Sequence, residues 1–94
     1  MSLESRAGVF GALSDPIRLS ILDYLSRDQR CVCDLQEALD IAANLLSYHL
    51  RILRESGLVE SARRGRWVDY RLADGAVAMV TAALPAPLVG WVAQ

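Results

Sequence analysis

The chain has 94 residues, 53% hydrophobic and 22% charged, with a formal net charge of -1. That excludes a disordered polymer and bounds the protein to one small domain whose core is marginal by itself, so that self-association is a natural way to bury more apolar surface. The near-neutral total argues against nucleic acid only until it is resolved along the chain: residues 1–40 carry four Arg against seven acids, whereas 51–71 carry Arg51, Arg54, Arg63, Arg64, Arg66 and Arg71 against Glu55, Glu60 and Asp69, a basic segment that a duplex would feel locally.

Taken in chain order, Leu3, Ala7, Phe10 and Leu13 recur at helical spacing and predict a short amphipathic opener over 3–13. Asp15-Pro16 reads as an N-cap followed by a first-turn proline, and Ile17, Leu19, Ile21, Leu22 and Leu25 supply the apolar face of a second helix ending near Arg27. Asp34 and Glu37 have the spacing of a capping box with Asp in the place of the usual Ser or Thr, opening a short third helix through Leu39. A turn at 40–42 leads into a fourth helix, Ala43 to Glu55, with two separable faces. Leu46, Leu50 and Leu53 should pack inward, while Asn44, Ser47, Tyr48 and Arg51 point out, a row rich in donors and acceptors. That row fits either a major groove or plain solvent.

Gly57 ends the helix as a C-cap. Residues 58–62 and 67–72 then read as two strands joined by Arg63-Arg64-Gly65-Arg66, with Val68, Tyr70 and Leu72 alternating against Trp67, Asp69 and Arg71. Three arginines at a hairpin tip serve no core, which favours contact with a DNA backbone over a solvated turn. All ten basic residues are Arg, a bias explained either by the guanidinium's fit to phosphate or by genome composition. The uncharged tail from Gly75 to Gln94 is broken by Pro85, Pro87 and Gly90 and is rich in alanine, so a helix packed on a partner is expected rather than a membrane span. No N-terminal stretch has the charged start and apolar core of a signal peptide, so the expected location is the cytoplasm, with the cysteines reduced.

The only two cysteines, Cys31 and Cys33, sit beside Asp34 at the entrance to the third helix. Residues two apart diverge on a helix but share a side in extended backbone, so with Asp34 as cap both sulfurs lie before the helix and can converge on one ion. Arg30 and the helix N-terminus favour thiolates, whereas Asp34 and burial oppose them. Buried inert packing and redox sensing stand as alternatives. His49, the only histidine, reads as a packing or DNA-backbone contact rather than a metal ligand.

Four helices, a hairpin and a last helix make a mainly α winged helix-turn-helix with a β-hairpin wing, one domain over 1–94 with the wing at about 58–72. Four stretches then resemble the ArsR/SmtB family of metal- and metalloid-responsive bacterial repressors: Leu13-Ser14-Asp15-Pro16-Ile17-Arg18-Leu19, Cys31-Val32-Cys33-Asp34-Leu35, the run from Ser47 to Val59, and the run from Gly65 to Leu72. The resemblance covers roughly residues 9–72. It implies a homodimer paired through helices at about 3–13 and 74–84, with Leu3, Phe10, Val77 and Val80 at the interface. It also implies double-stranded operator DNA as partner, with Asn44, Leu45, Ser47, Tyr48, His49 and Arg51 on the reading helix and Arg63, Arg64 and Arg66 on the wing. The family commonly has Ser or Thr where Ala42 lies, so the cap is expected to be weaker by about 1 kcal/mol unless Asp40 or Asn44 substitutes. Leu45 is more apolar than usual and suits a thymine methyl.

The resemblance further implies an effector bound at Cys31 and Cys33 and no permanently bound cofactor; Asp34 is expected as helix cap rather than ligand, although a divalent ion would have to complete its shell with Asp34, Glu37 or water. Related repressors draw extra ligands from the partner's N-terminal arm or the last helix; here neither segment carries Cys or His, and Gln36 stands where some arsenic-responsive members have a third thiol. Two thiolates suit trivalent arsenic or antimony better than tetrahedral cadmium, lead or zinc. An enzyme is not expected, since no phosphate loop, His-based metal motif or based nucleophile is present. A redox-responsive or divalent-metal-responsive repressor, and a protein-binding winged helix without DNA, are the remaining readings.

Overall fold

The computed structural model describes residues 1–88; the expected break at Gly90 and the end of the tail lie outside the described residues. Its elements are α1 (Leu3–Leu13), α2 (Pro16–Arg27), β1 (Arg30–Cys31), α3 (Val32–Leu39), α4 (Ala43–Glu55), β2 (Val59–Arg64), β3 (Trp67–Leu72) and α5 (Ala76–Ala83). The architecture is the mainly helical winged helix-turn-helix expected, with one addition. A two-residue strand, β1, joins the wing to make an antiparallel sheet of order β1-β3-β2.

Asp15 starts α2 as anticipated, its Oδ1 accepting from the backbone N–H of Ile17 at 2.8 Å and of Arg18 at 3.1 Å. Both amides would otherwise be without partners in a first turn. Ile21 and Leu25 of α2, Leu35 of α3, Leu46, Leu50 and Leu53 of α4, and Leu58, Val59 and Tyr70 of the wing form one buried cluster with Ala12. The core thus lies between the helix-turn-helix and the sheet, and it fixes α3, α4 and the wing relative to one another. Two apolar faces differ from expectation. In α1 the smaller Val9 and Ala12 turn inward while Leu3 is 72% exposed, since α1 lies against both α2 and α5 and small side chains permit close approach. Leu19 of α2 also faces outward.

Helix α4 ends in a paired motif: the amide of Gly57 donates to the Arg54 carbonyl at 3.0 Å and that of Leu58 to the Leu53 carbonyl at 3.1 Å. The motif requires a left-handed residue, and Gly57 supplies φ 85°. The hairpin differs at its tip. Strand β2 runs on to Arg64, which pairs with Trp67, so Arg63 and Arg64 are strand residues and only Gly65 and Arg66 turn. Gly65 takes φ 62°, which a two-residue hairpin turn needs. Helix α5 is shorter than the predicted 74–84 and is tied to α1 by Arg6, whose Nε donates to the Ala83 carbonyl at 3.0 Å. Among the described residues no helix is long and apolar enough to cross a membrane.

Candidate cysteine cluster and nucleic-acid interface

Cys31, not Asp34, is the N-cap of α3: its backbone is extended (φ -75°, ψ 159°) and its Sγ accepts from the Asp34 amide at 3.2 Å. The expected capping box between Asp34 and Glu37 is therefore absent, and Asp34 lies in the first turn. An extended cap residue aims its side chain forward over that turn, which brings Cys31 to Cys33 although Cys33 is already helical. The ligand atoms of Cys31, Cys33 and Asp34 all lie within 4.8 Å of one another, with Cys31 buried and the other two exposed. The two sulfurs are bonded to each other as a disulfide, in contrast to the free thiols expected.

Two sulfurs each about 2.3 Å from one ion lie no more than about 4.6 Å apart. Once the S–S bond is opened, a donor set of two thiolates and one carboxylate in this space fits a single thiophilic ion. Strand β1 carries the cluster to the wing, for Cys31 pairs with Asp69 and Arg30 with Tyr70. Two residues are too few for any periodicity to announce a strand, so this link was illegible in the sequence.

Along α4, Asn44, Leu45, Ser47, Tyr48 and Arg51 are exposed in one row. His49 is not among them. It is 4% exposed, because Leu46, His49, Leu50 and Leu53 fall on the same stripe at spacings of three, four and seven. Its Nδ1 accepts from Arg18 Nη1 at 2.9 Å, since a guanidinium can only donate. Arg18 also donates from Nε to the Ala12 carbonyl at 2.8 Å and from Nη2 to the Gly11 carbonyl at 3.2 Å. One side chain thus closes the C-terminal end of α1 and pins the middle of α4. The sequence reading gave Arg18 no role, although the i, i+3, i+4, i+7 pattern already placed His49 inside. At the other end of α4, Ala42 offers no side-chain cap, and neither Asp40 nor Asn44 replaces it. The first amides of the helix therefore face outward at its positive end, an arrangement that suits a phosphate.

The arginines divide into two sets. Arg64 makes a bidentate pair with Asp69, Nε to Oδ2 at 2.8 Å and Nη2 to Oδ1 at 3.2 Å. This pair keeps Asp69 buried where strand alternation predicts a solvent-facing side chain, holds its carboxyl below the usual range and raises the guanidinium. Arg71 is engaged by Glu60 at 2.6 Å and by Asp74 at 3.6 Å, and Arg54 donates to Tyr70 Oη at 2.8 Å. Among the described residues Arg51, Arg63 and Arg66 have no carboxylate within 4.0 Å; Arg51 lies 5.9 Å from the Tyr48 ring centre and Arg66 5.3 Å from that of Trp67. Arg51 lines one open groove with Asn44, Ser47, Tyr48 and Ser61, while Arg63 and Arg66 stand at the end of the hairpin. Helices α1 and α5 expose Leu3 and Val77, the latter by 79%, and leave Phe10 and Val80 half-buried.

Residues 15–61 match the family model described as "Bacterial regulatory protein, arsR family". The chain is 45% identical over 74 residues to a transcriptional repressor SmtB homolog of Synechocystis sp., covering 79% of this chain and 56% of that protein. It is 48% identical over 65 residues to the arsenical resistance operon repressor of Escherichia coli, covering 68% of this chain and 56% of that one. The match thus spans little more than half the length of these curated relatives. The crystal structure of an ArsR family transcriptional regulator superposes with a TM-score of 0.83 at 28% identity, over 100% of this chain and 97% of the other. The fold, the four sequence stretches and these matches agree: the chain belongs to the arsR family of bacterial regulatory proteins, DNA-binding transcriptional regulators that are typically dimeric.

Proposed function

We propose that the protein is a homodimeric repressor that leaves its operator when trivalent arsenic or antimony binds Cys31 and Cys33. The observation that carries this reading is the cysteine cluster built into the cap of α3, the helix whose Leu35 shares one core with Leu46, Leu50 and Leu53 of α4. Each thiol that binds arsenite displaces one hydroxyl as water, so two thiols release two waters and leave the third position to hydroxide or a small-molecule thiol. Capture of Cys31 Sγ competes with its cap bond to the Asp34 amide and loosens the first turn of α3. Asn44, Leu45, Ser47, Tyr48 and Arg51 read the major groove, Arg63 and Arg66 hold the backbone, and Leu3, Phe10, Val77 and Val80 form the dimer contact. Arsenical repressors among the similar proteins support this effector class.

The test is operator binding by reduced protein with arsenite, antimonite, cadmium, lead or zinc added in turn. Arsenite and antimonite should weaken binding roughly 5- to 150-fold, the usual range of such coupling. A Cys31→Ser, Cys33→Ser variant that responds like the wild type would overturn the site. The Cys31–Cys33 disulfide favours a second reading, a thiol switch on the same scaffold. In that case oxidant alone releases the operator and mass spectrometry finds two hydrogens lost per subunit, whereas metalloid binding leaves no oxidative mark.

A further inference from the structure

Residues directly opposite in an antiparallel pair share a face of the sheet. Asp69 is opposite both Cys31 and Ala62, and Arg64, two residues along β2, returns to that same face. The cysteine cluster, Asp69 and Arg64 therefore occupy one surface of a three-stranded sheet. Asp69 is 9% exposed, and a buried carboxylate is stable only with its hydrogen bonds met. The partner that meets them is Arg64, the last residue of β2, opposite Trp67 at the turn. The Arg64 guanidinium is raised first by its hydrogen bond to Asp69 and by the Asp69 charge, with a smaller long-range contribution from the Asp34 carboxylate of the cluster.

We propose that Asp69 and Arg64 are positioning residues through which the state of the cysteine pair sets the position of the wing. The proposal rests on the reading of Cys31 and Cys33 as the effector site. An ion held by the cluster shifts β1, whose partner strand carries Asp69, and engages Asp34, whose charge reaches Arg64. Both effects converge on the pair that anchors the hairpin tip. Arg64 then acts on DNA through the wing, unlike Arg63 and Arg66, which have no carboxylate partner among the described residues.

Trp67 adjoins the pair, and in a Trp91→Phe background it is the only tryptophan. Arsenite is titrated into the reduced protein, with sulfur–arsenic absorbance reporting binding, Trp67 emission reporting the wing and labelled operator reporting affinity. The expected result is a Trp67 change that saturates with the absorbance, together with operator loss. In Asp69→Asn the absorbance should persist, the Trp67 change should vanish and the operator loss should shrink to less than about threefold. Equal operator loss in Asp69→Asn and wild type would overturn the proposal. Arg64→Lys, which keeps the charge but not the fork, should show a reduced Trp67 change, and it decides the matter if Asp69→Asn fails to fold.

If no absorbance develops, the effector reading fails while the coupling is still measured by opening the disulfide with a phosphine. The disulfide gains two electrons and two protons, and the phosphine takes oxygen from water. Trp67 emission should change in the Asp69 protein and not in Asp69→Asn. No change in either would contradict the proposal.

Discussion

At position 49 the imidazole is turned away from the row of side chains that a duplex would meet and is joined to Arg18 instead. The two residues serve the scaffold, and on the proposed reading Arg51, Arg63 and Arg66 contact the nucleic acid. This division has a thermodynamic signature. Each phosphate contact removed lowers the slope of log affinity against log salt by about 0.9, so Arg63→Gln should flatten the slope by roughly 2 in a dimer. His49→Ala should lower thermal stability and leave that slope unchanged; an equal flattening would return His49 to the interface. Asp15 and Asp69 give a second residue-scale signature. Both carboxyls lie below the ordinary range, Asp15 because the Arg18 and Ile17 amides bind its anion and Asp69 because Arg64 does. The folded chain thus binds fewer protons than the unfolded one as pH falls through about 4. Both contributions are complete above that range and are lost as pH drops through the depressed values. Urea midpoints of the wild type should fall steeply below about pH 4, and those of Asp15→Asn, Asp69→Asn should change less.

The helices were legible because each rests on a repeated signal: Asp15-Pro16 for the start of α2, leucines at 46, 50 and 53 for α4, Gly57 for its end. The wing was legible in kind but not in length, because two arginines of β2 look like a loop until Arg64 finds Asp69. Least legible was the cap of α3. Cysteine is not among the residues that ordinarily cap helices, so Asp34 drew the assignment, and the strand formed by Arg30 and Cys31 has no pattern to display. Geometry at this element yields a prediction about substitutions. Compared with the reduced wild type, Cys31→Ser retains a cap acceptor and should leave stability almost unchanged, whereas Cys31→Val should lose about 1 kcal/mol. Denaturation midpoints check this, and equal losses would mean that the sulfur does not cap. The same result decides whether Cys31→Ser is a clean probe of the effector site.

Across the molecule, the groove between α4 and the wing is lined by Arg51 and Arg54, and α1 with α5 exposes Leu3 and Val77. Val77→Asp adds charge to a side chain that is 79% exposed in the single chain. It should leave the fold intact, convert dimer to monomer in sedimentation and weaken operator binding at least tenfold, because two half-sites no longer act together. A dimer that persists would place the interface elsewhere. The cysteine cluster lies at the cap of α3 and, through β1, beside the wing; on the proposed reading its occupancy and DNA binding form one linked equilibrium. The most direct measurement is a stoichiometric arsenite titration of the reduced protein–operator complex, with sulfur–arsenic absorbance and operator release recorded together. One arsenic per subunit, with both signals ending at the same equivalence, is the expected result. Absorbance that saturates while the operator stays bound, or release without absorbance, would contradict the assignment of Cys31 and Cys33 as the effector site.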